Sequence, residues 1–149
     1  MAAPLIWRKG NRLLGGLVLL IGVHSCILGI LMLLAPRFML GLLGFSPDTP
    51  IFFPSQSGIF LLILGICYLL ALADASLLKV ILISKAFAVV FLVAHAVCSA
   101  PPTIWAAALG DAAMLAATGA ALARQRQLQH PAERAGVLRQ HLAAGARPE

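Results

Sequence analysis

Five side chains that can ionise or hydrogen-bond lie inside otherwise apolar stretches of this sequence. They are His24, Tyr68, Lys85, His95 and Asp111. An Arg, Lys or Asp at the centre of a bilayer costs at least ~2.5–3.5 kcal/mol on insertion scales, so its presence calls for an explanation. These residue types can bind a ligand, relay protons, or hold helices together by hydrogen bonds and ion pairs.

The depth of each residue follows from the helical rise of 1.5 Å per residue. Lys85 falls about 8 Å from the cytoplasmic boundary, and the other four fall about 14 to 22 Å from it, near the midplane. Helical Cβ atoms tilt toward the N-terminus, so His95 and Asp111 on antiparallel helices tilt toward each other. We therefore predict a His95–Asp111 hydrogen bond, which is either a purely structural contact or the main candidate ligand or proton site.

Two of the other residues have alternative roles. Lys85 either forms an ion pair with Asp111, against both side-chain tilts, or extends its stem to the cytoplasmic surface. His24 is either a core histidine that bonds to a neighbouring helix or a ligand-binding residue. A functional site would also require a cavity beside its polar residues.

The sequence carries no motif of a complete active site. It has no nucleophile elbow, phosphate-binding glycine loop, paired catalytic carboxylates or HExxH. Cys26, Cys67 and Cys98 lie in three different spans without a Cys-x-x-Cys pair, so we assign no metal site. His24 and His95 raise the possibility of a b-type haem, but about 5 Å of depth separates them. We assign no catalytic residue and expect no enzyme within this chain alone.

Four long apolar segments must position these residues. The segments are 13–35, 57–73, 80–99 and 103–123, and the chain is 61% hydrophobic and only 11% charged. Each segment is about long enough to cross a hydrocarbon core of ~30 Å. We predict an all-α, four-helix transmembrane domain over 13–123, with basic tails at 1–12 and 124–149. The first apolar run is too long for a secretory signal.

The basic residues favour one orientation of this bundle. Nine of them share one predicted side of the membrane: Arg8, Lys9, Arg12, Lys79, Arg124, Arg126, Arg134, Arg139 and Arg147. Only Arg37 lies on the other side. The positive-inside rule places both termini in the cytoplasm. Membrane topology therefore explains the net charge of +6, and we infer no nucleic-acid partner.

Glycines recur at heptad spacing on the first two spans. They are Gly15, Gly22, Gly29, Gly58 and Gly65. Small residues let the backbones of membrane helices approach closely, so we expect these two spans to pack along the glycines. The fourth span is rich in alanine and glycine, which predicts an inner, tightly packed helix.

The connections between spans also show patterns. The apolar stretch 36–45 predicts a short interfacial helix between the first two spans. The tail beyond Arg124 is polar, and Pro131 could begin another helix there. This tail either rests on the inner membrane surface or is disordered.

The chain resembles a group of small, largely uncharacterised bacterial four-helix membrane proteins, DoxX-like in outline. The resemblance rests on the run Gly65-x-x-Tyr68-x-x-Ala71, on Lys85 early in the third span and on Asp111 in the fourth. It extends through Leu34-Ala35-Pro36, Leu43-Gly44-Phe45, Gly58 and Asp74. It implies a bacterial inner-membrane location and a link to quinone-dependent sulfur oxidation. His95 and the arginine-rich tail fall outside the pattern.

The sequence leaves three functions open, and the first of them is our leading interpretation. The first is a non-enzymatic accessory or structural subunit of a membrane complex, in contact with other membrane subunits or a second copy. The second is a redox-associated bundle that binds a quinone or lipid-like molecule. The third is a small transporter or proton path, which would need an aqueous cavity.

Overall fold

The computed structural model describes residues 12–46, 48–98 and 101–145, with side chains described up to 125 and at 127. The elements are α1 (Arg12–Leu34), α2 (Pro36–Leu42), α3 (Phe52–Leu70), a 3-10 turn (Ala75–Leu77), α4 (Leu78–Val97) and α5 (Thr103–Gly145). No strand occurs within these ranges. The predicted tail residues 1–11, with Arg8 and Lys9, lie outside the described residues. So do Ser99, at the end of the third predicted span, and Arg147.

Four of these helices are long and apolar enough to cross a membrane, which confirms the predicted fold class. The spans are Arg12–Leu34, Phe52–Leu70, Ala75–Val97 and Thr103–Gln125. The second begins five residues earlier than the predicted start at Ser57. Its first turn contains Pro54, which is tolerated there because the first backbone N–H groups of a helix have no intrahelical partner.

The most extensive contact in the bundle is between α1 and α3. A Cβ added to Gly29 would lie 2.6 Å from the backbone nitrogen of Leu62, and one added to Gly65 would lie 2.8 Å from that of Cys26. Gly58 and Gly22 also face the opposite helix, and Gly15 is buried. Because these glycines have no side chain, the two backbones approach more closely than any larger residue would permit.

The end of the bundle that carries the α3–α4 connection has a filled core. Its buried side chains come from the start of α1, the end of α3 and the start of α4: Leu14, Val18, Ile21, Tyr68, Ala71, Leu78 and Ile81. Asp74 caps the 3-10 turn at this end, where its Oδ1 accepts a hydrogen bond of 2.9 Å from the Ser76 backbone N–H. That interaction with Ser76 holds the pKa of Asp74 below its usual value. We call this end the packed half.

The opposite end is covered by α2. Met39 and Leu40 on this short helix are buried. Thr103 at the start of α5 donates a hydrogen bond to the Leu43 carbonyl, and Gly44 turns the chain with a φ of 84°. The connection that follows α1 and the connection between α4 and α5 therefore lie at the same end. The short helix is present, whereas its position at a membrane interface stays a prediction.

Helix α5 differs from the prediction in two ways. Its backbone continues as one helix to Gly145, so Pro131 lies within α5 and does not begin a separate helix. Its apolar part is also not an inner helix, because only 11% of that window is buried, the smallest share among the four spans. Gly110 and Gly119 have space beside them rather than a neighbouring backbone. These small residues of α5 leave space beside the helix instead of packing against a neighbouring helix.

Candidate functional site

The central polar contact of the bundle is an ion pair between α4 and α5. Lys85 Nζ donates to Asp111 Oδ1 at 2.5 Å, and the side chains are only 6% and 18% exposed. The predicted His95–Asp111 pair is therefore wrong, and the alternative Lys85–Asp111 pair is correct. Burying the two charges together avoids the much larger cost of leaving either one unpaired in an apolar surrounding.

The turn that joins α4 and α5 sets the relative height of their residues, which depth counted from the cytoplasmic boundary does not capture. Counted from the turn that joins α4 and α5, Asp111 and Lys85 differ in height by about 6 Å, whereas Asp111 and His95 differ by about 9 Å. A flexible lysine stem spans the smaller gap more readily than the short imidazole arm spans the larger one. His95 is exposed, bonds through Nδ1 to the Phe91 carbonyl at 2.9 Å, and packs against the Phe91 ring.

Tyr68 is buried in the packed half and bonds across to α4. Its hydroxyl lies 2.5 Å from Ser84 Oγ, and Ser84 in turn donates to the Val80 carbonyl at 2.6 Å. A serine hydroxyl has one hydrogen, so Tyr68 must be the donor in the first bond. Both hydroxyls are thereby satisfied, and the contact links α3 to α4.

A cavity of about 430 Å³ lies between the helices on the α2 side of the ion pair. Its lining includes His24, Ser25, Lys85 and Asp111, and Met39 and Leu43 close the end formed by α2. Its walls are otherwise mainly apolar, with Leu28, Met32, Leu61, Leu92, Ile104 and Met114 among them. The volume lies within the ~300–1,000 Å³ typical of small-molecule pockets.

The small residues of α5 create this space. Ala106, Ala107 and Gly110 line the cavity where larger side chains would fill it. The polar lining residues form a layer about 12 to 18 Å from the helix ends on the α2 side. The cavity thus has a polar floor near mid-span, apolar walls, and a roof supplied by α2. We call this region the cavity half.

Ser25 is a feature of the floor that the sequence prediction missed. Its side chain is fully buried, and its Oγ has no hydrogen-bond partner among the described residues. Ser57, Ser84 and Thr118 all donate to the carbonyl four residues earlier, as helical hydroxyls commonly do. A signal was present in the sequence, because Ser25 lies between Gly22 and Gly29 on the face that turns into the bundle.

The five predicted residues therefore divide among three environments. His24, Lys85 and Asp111 line the cavity, Tyr68 belongs to the packed half, and His95 is exposed. Because one histidine lines the cavity and the other is on the outer surface of α4, they do not form a shared haem site. Within the described ranges, no group of three His, Cys, Asp or Glu side chains is arranged to hold a metal ion.

The three cysteines are separate and unpaired. Cys26 and Cys67 are partly buried, and Cys98 is exposed. Cys26 contacts the α3 backbone where Gly65 lies, so it acts there as a small packing residue.

Comparisons of the chain with family models, with curated proteins and with solved structures give no match.

Proposed function

We propose that this small membrane protein binds a predominantly apolar molecule inside its helical bundle. The observation that carries the proposal is the cavity of about 430 Å³, whose apolar walls end in a floor of Lys85, Asp111, His24 and Ser25. Small-molecule sites commonly combine apolar walls with a few convergent polar groups. Of the functions considered from the sequence, this geometry favours the ligand-binding bundle over a purely structural subunit.

The location of the cavity bears on the route of the ligand. The site lies inside the four apolar helices, so a molecule dissolved in the bilayer reaches it without crossing water. An ordinary phospholipid suits it poorly, because its charged head would leave the water surface and sit near mid-span. The ligand class is therefore a compact membrane-soluble molecule. A quinone belongs to this class, and the DoxX-like resemblance supports that member of it.

The binding proposal is tested by filling the cavity. Ala107 lines it, whereas Ala116 on the same helix is exposed and does not. The parent, Ala107→Phe and Ala116→Phe are purified from membranes, and mass spectrometry quantifies their apolar small molecules per mole of protein. We expect a molecule retained by the parent and Ala116→Phe and lost from Ala107→Phe. Equal recovery from all three, or none from any, would contradict the proposal.

The proposed orientation places both termini in the cytoplasm of a bacterial inner membrane. The asymmetry of Lys and Arg supports it, because nine of these residues share one side and only Arg37 lies on the other. Reporter fusions after Arg124 and at Thr49 should show opposite sidedness. Reporters on the same side would overturn this topology.

A further inference from the structure

We infer that Ser25 is a ligand-binding residue and that the ligand has a neutral carbonyl as its polar end. The inference rests on the proposed binding function and names the chemistry of its polar floor. It begins from the one floor hydroxyl that the fold leaves without a partner among the described residues.

The buried hydroxyl of Ser25 needs a partner. Removing a hydroxyl from all hydrogen bonding costs about 1–3 kcal/mol in a protein interior. In a helix the usual remedy is a bond to the carbonyl four residues earlier, as Ser84 makes to Val80. Ser25 makes no such bond and lines the cavity. A ligand in that space is the acceptor that we infer for its O–H.

The charge of the floor decides the kind of acceptor. Lys85 and Asp111 neutralise each other at 2.5 Å, so this pair leaves no net charge to balance an ionic head. A carboxylate bound here would be a third, uncompensated charge in an apolar surrounding, which is costly. A neutral carbonyl incurs no such cost.

The number of donors also matches a carbonyl. An ammonium group has three N–H bonds, and Asp111 accepts one from Lys85. Lys85 and Ser25 line the same cavity, and a carbonyl oxygen has two lone pairs that can accept from both. The apolar remainder of the ligand would then lie along Leu28 and Met32 toward α2.

The test uses three probes of similar length in bilayer discs that hold the full-length protein. They are 2-undecanone, which has a neutral carbonyl, n-undecane, which has no head, and decanoate, which has an anionic head. The affinity of each is measured for the parent, Ser25→Ala and Ser57→Ala. Ser57 is the matched control, because it is exposed on α3 and donates to the Phe53 carbonyl.

We expect 2-undecanone to bind the parent more tightly than n-undecane, and Ser25→Ala to reduce this preference about 2- to 10-fold, as the loss of one neutral hydrogen bond predicts. Ser25→Ala should leave the affinity for n-undecane unchanged, whereas Ser57→Ala should alter neither affinity. With a ¹³C-labelled carbonyl, the infrared stretch of bound 2-undecanone should lie at lower frequency in the parent than in Ser25→Ala. This spectroscopic shift reports the hydrogen bond independently of protein stability.

The outcomes separate this inference from the binding proposal. If n-undecane and 2-undecanone bind equally and Ser25→Ala changes neither, the cavity binds apolar molecules but the assignment of Ser25 is overturned. Tightest binding by decanoate would also overturn the assignment of Ser25. So would a carbonyl frequency that is the same in the parent and in Ser25→Ala, because water alone would then occupy the floor. If none of the probes binds, the proposed function itself fails.

Discussion

The packed half and the cavity half of this bundle use the same residue types to opposite effect. In the packed half, the hydroxyls of Tyr68 and Ser84 satisfy each other and the backbone, and the surrounding side chains are fully buried. In the cavity half, the Ser25 hydroxyl has no partner among the described residues, and small side chains leave space. The two halves therefore differ in side-chain packing: the packed half has a filled core, whereas the cavity half has space between its helices.

Glycine shows a second contrast, which is between helices rather than between the two halves. On α1 and α3, glycines bring two backbones into contact, and a Cβ at Gly29 would meet the Leu62 nitrogen at 2.6 Å. On α5, Gly110 lines the cavity and has no neighbour within 4 Å of where a Cβ would lie. The structural meaning of a glycine in this membrane helix bundle therefore depends on what faces it.

The largest expected effect comes from the glycine contact between α1 and α3. Gly29→Leu would push a side chain into the Leu62 backbone, which cannot move aside as a flexible side chain can. We expect a loss in the free energy of unfolding of about 3 kcal/mol or more, at or above the upper end for overpacking. Gly16→Leu on the same helix is the control, because Gly16 is exposed with nothing within 4 Å. Equal melting temperatures for the two variants would show that the contact is not tight.

The next effect concerns the ion pair at the border between the halves. Asp111→Ala leaves the buried Lys85 ammonium unpaired, and we expect it to cost about 3 kcal/mol of unfolding free energy. The double variant Lys85→Met with Asp111→Leu removes both charges and should recover most of that loss. The free energy of unfolding of the parent, Asp111→Ala and the double variant is measured in bilayer discs. If the double variant is no more stable than Asp111→Ala, an unpaired Lys85 charge is not the cause of the loss.

The smallest effect compares one truncation in each half. Ile21→Ala in the packed half opens a void among fully buried side chains, and we expect a cost of about 2 kcal/mol. Leu28→Ala only enlarges a cavity that already exists, so it should cost about half as much. The free energies of unfolding of the two variants are compared in the same bilayer discs. A larger cost for Leu28→Ala would mean that the two halves are packed alike.

The sequence alone predicts the four spans and the two helices that pack along their glycines. Spanning length is set by bilayer thickness, and heptad glycines mark a face, so both depend on local pattern alone. The partner of Asp111 was mispredicted because it depends on the relative height of α4 and α5. That height is fixed by the turn at their shared end, and the long lysine stem then reaches across the remaining offset.

The cavity could not be inferred from the sequence for a related reason. Ala106, Ala107 and Gly110 look the same whether a neighbouring helix packs against them or leaves a gap. The deciding fact is that α1 packs most extensively on α3, so the α1 face around Ser25 and Leu28 is not closed by α5. The accessory role, any partner subunit and the DoxX-like resemblance stay predictions.

The most direct test of the central claim is a structure of the protein determined in lipid after purification with its own membrane components. We expect non-protein density that extends from Met39 on α2 toward Lys85 and Asp111, with its end within hydrogen-bond distance of Ser25. Mass spectrometry of the same sample would separate a native molecule from added lipid. A bundle in which Leu28, Met32 and Leu92 meet and fill this space with protein side chains would contradict the account.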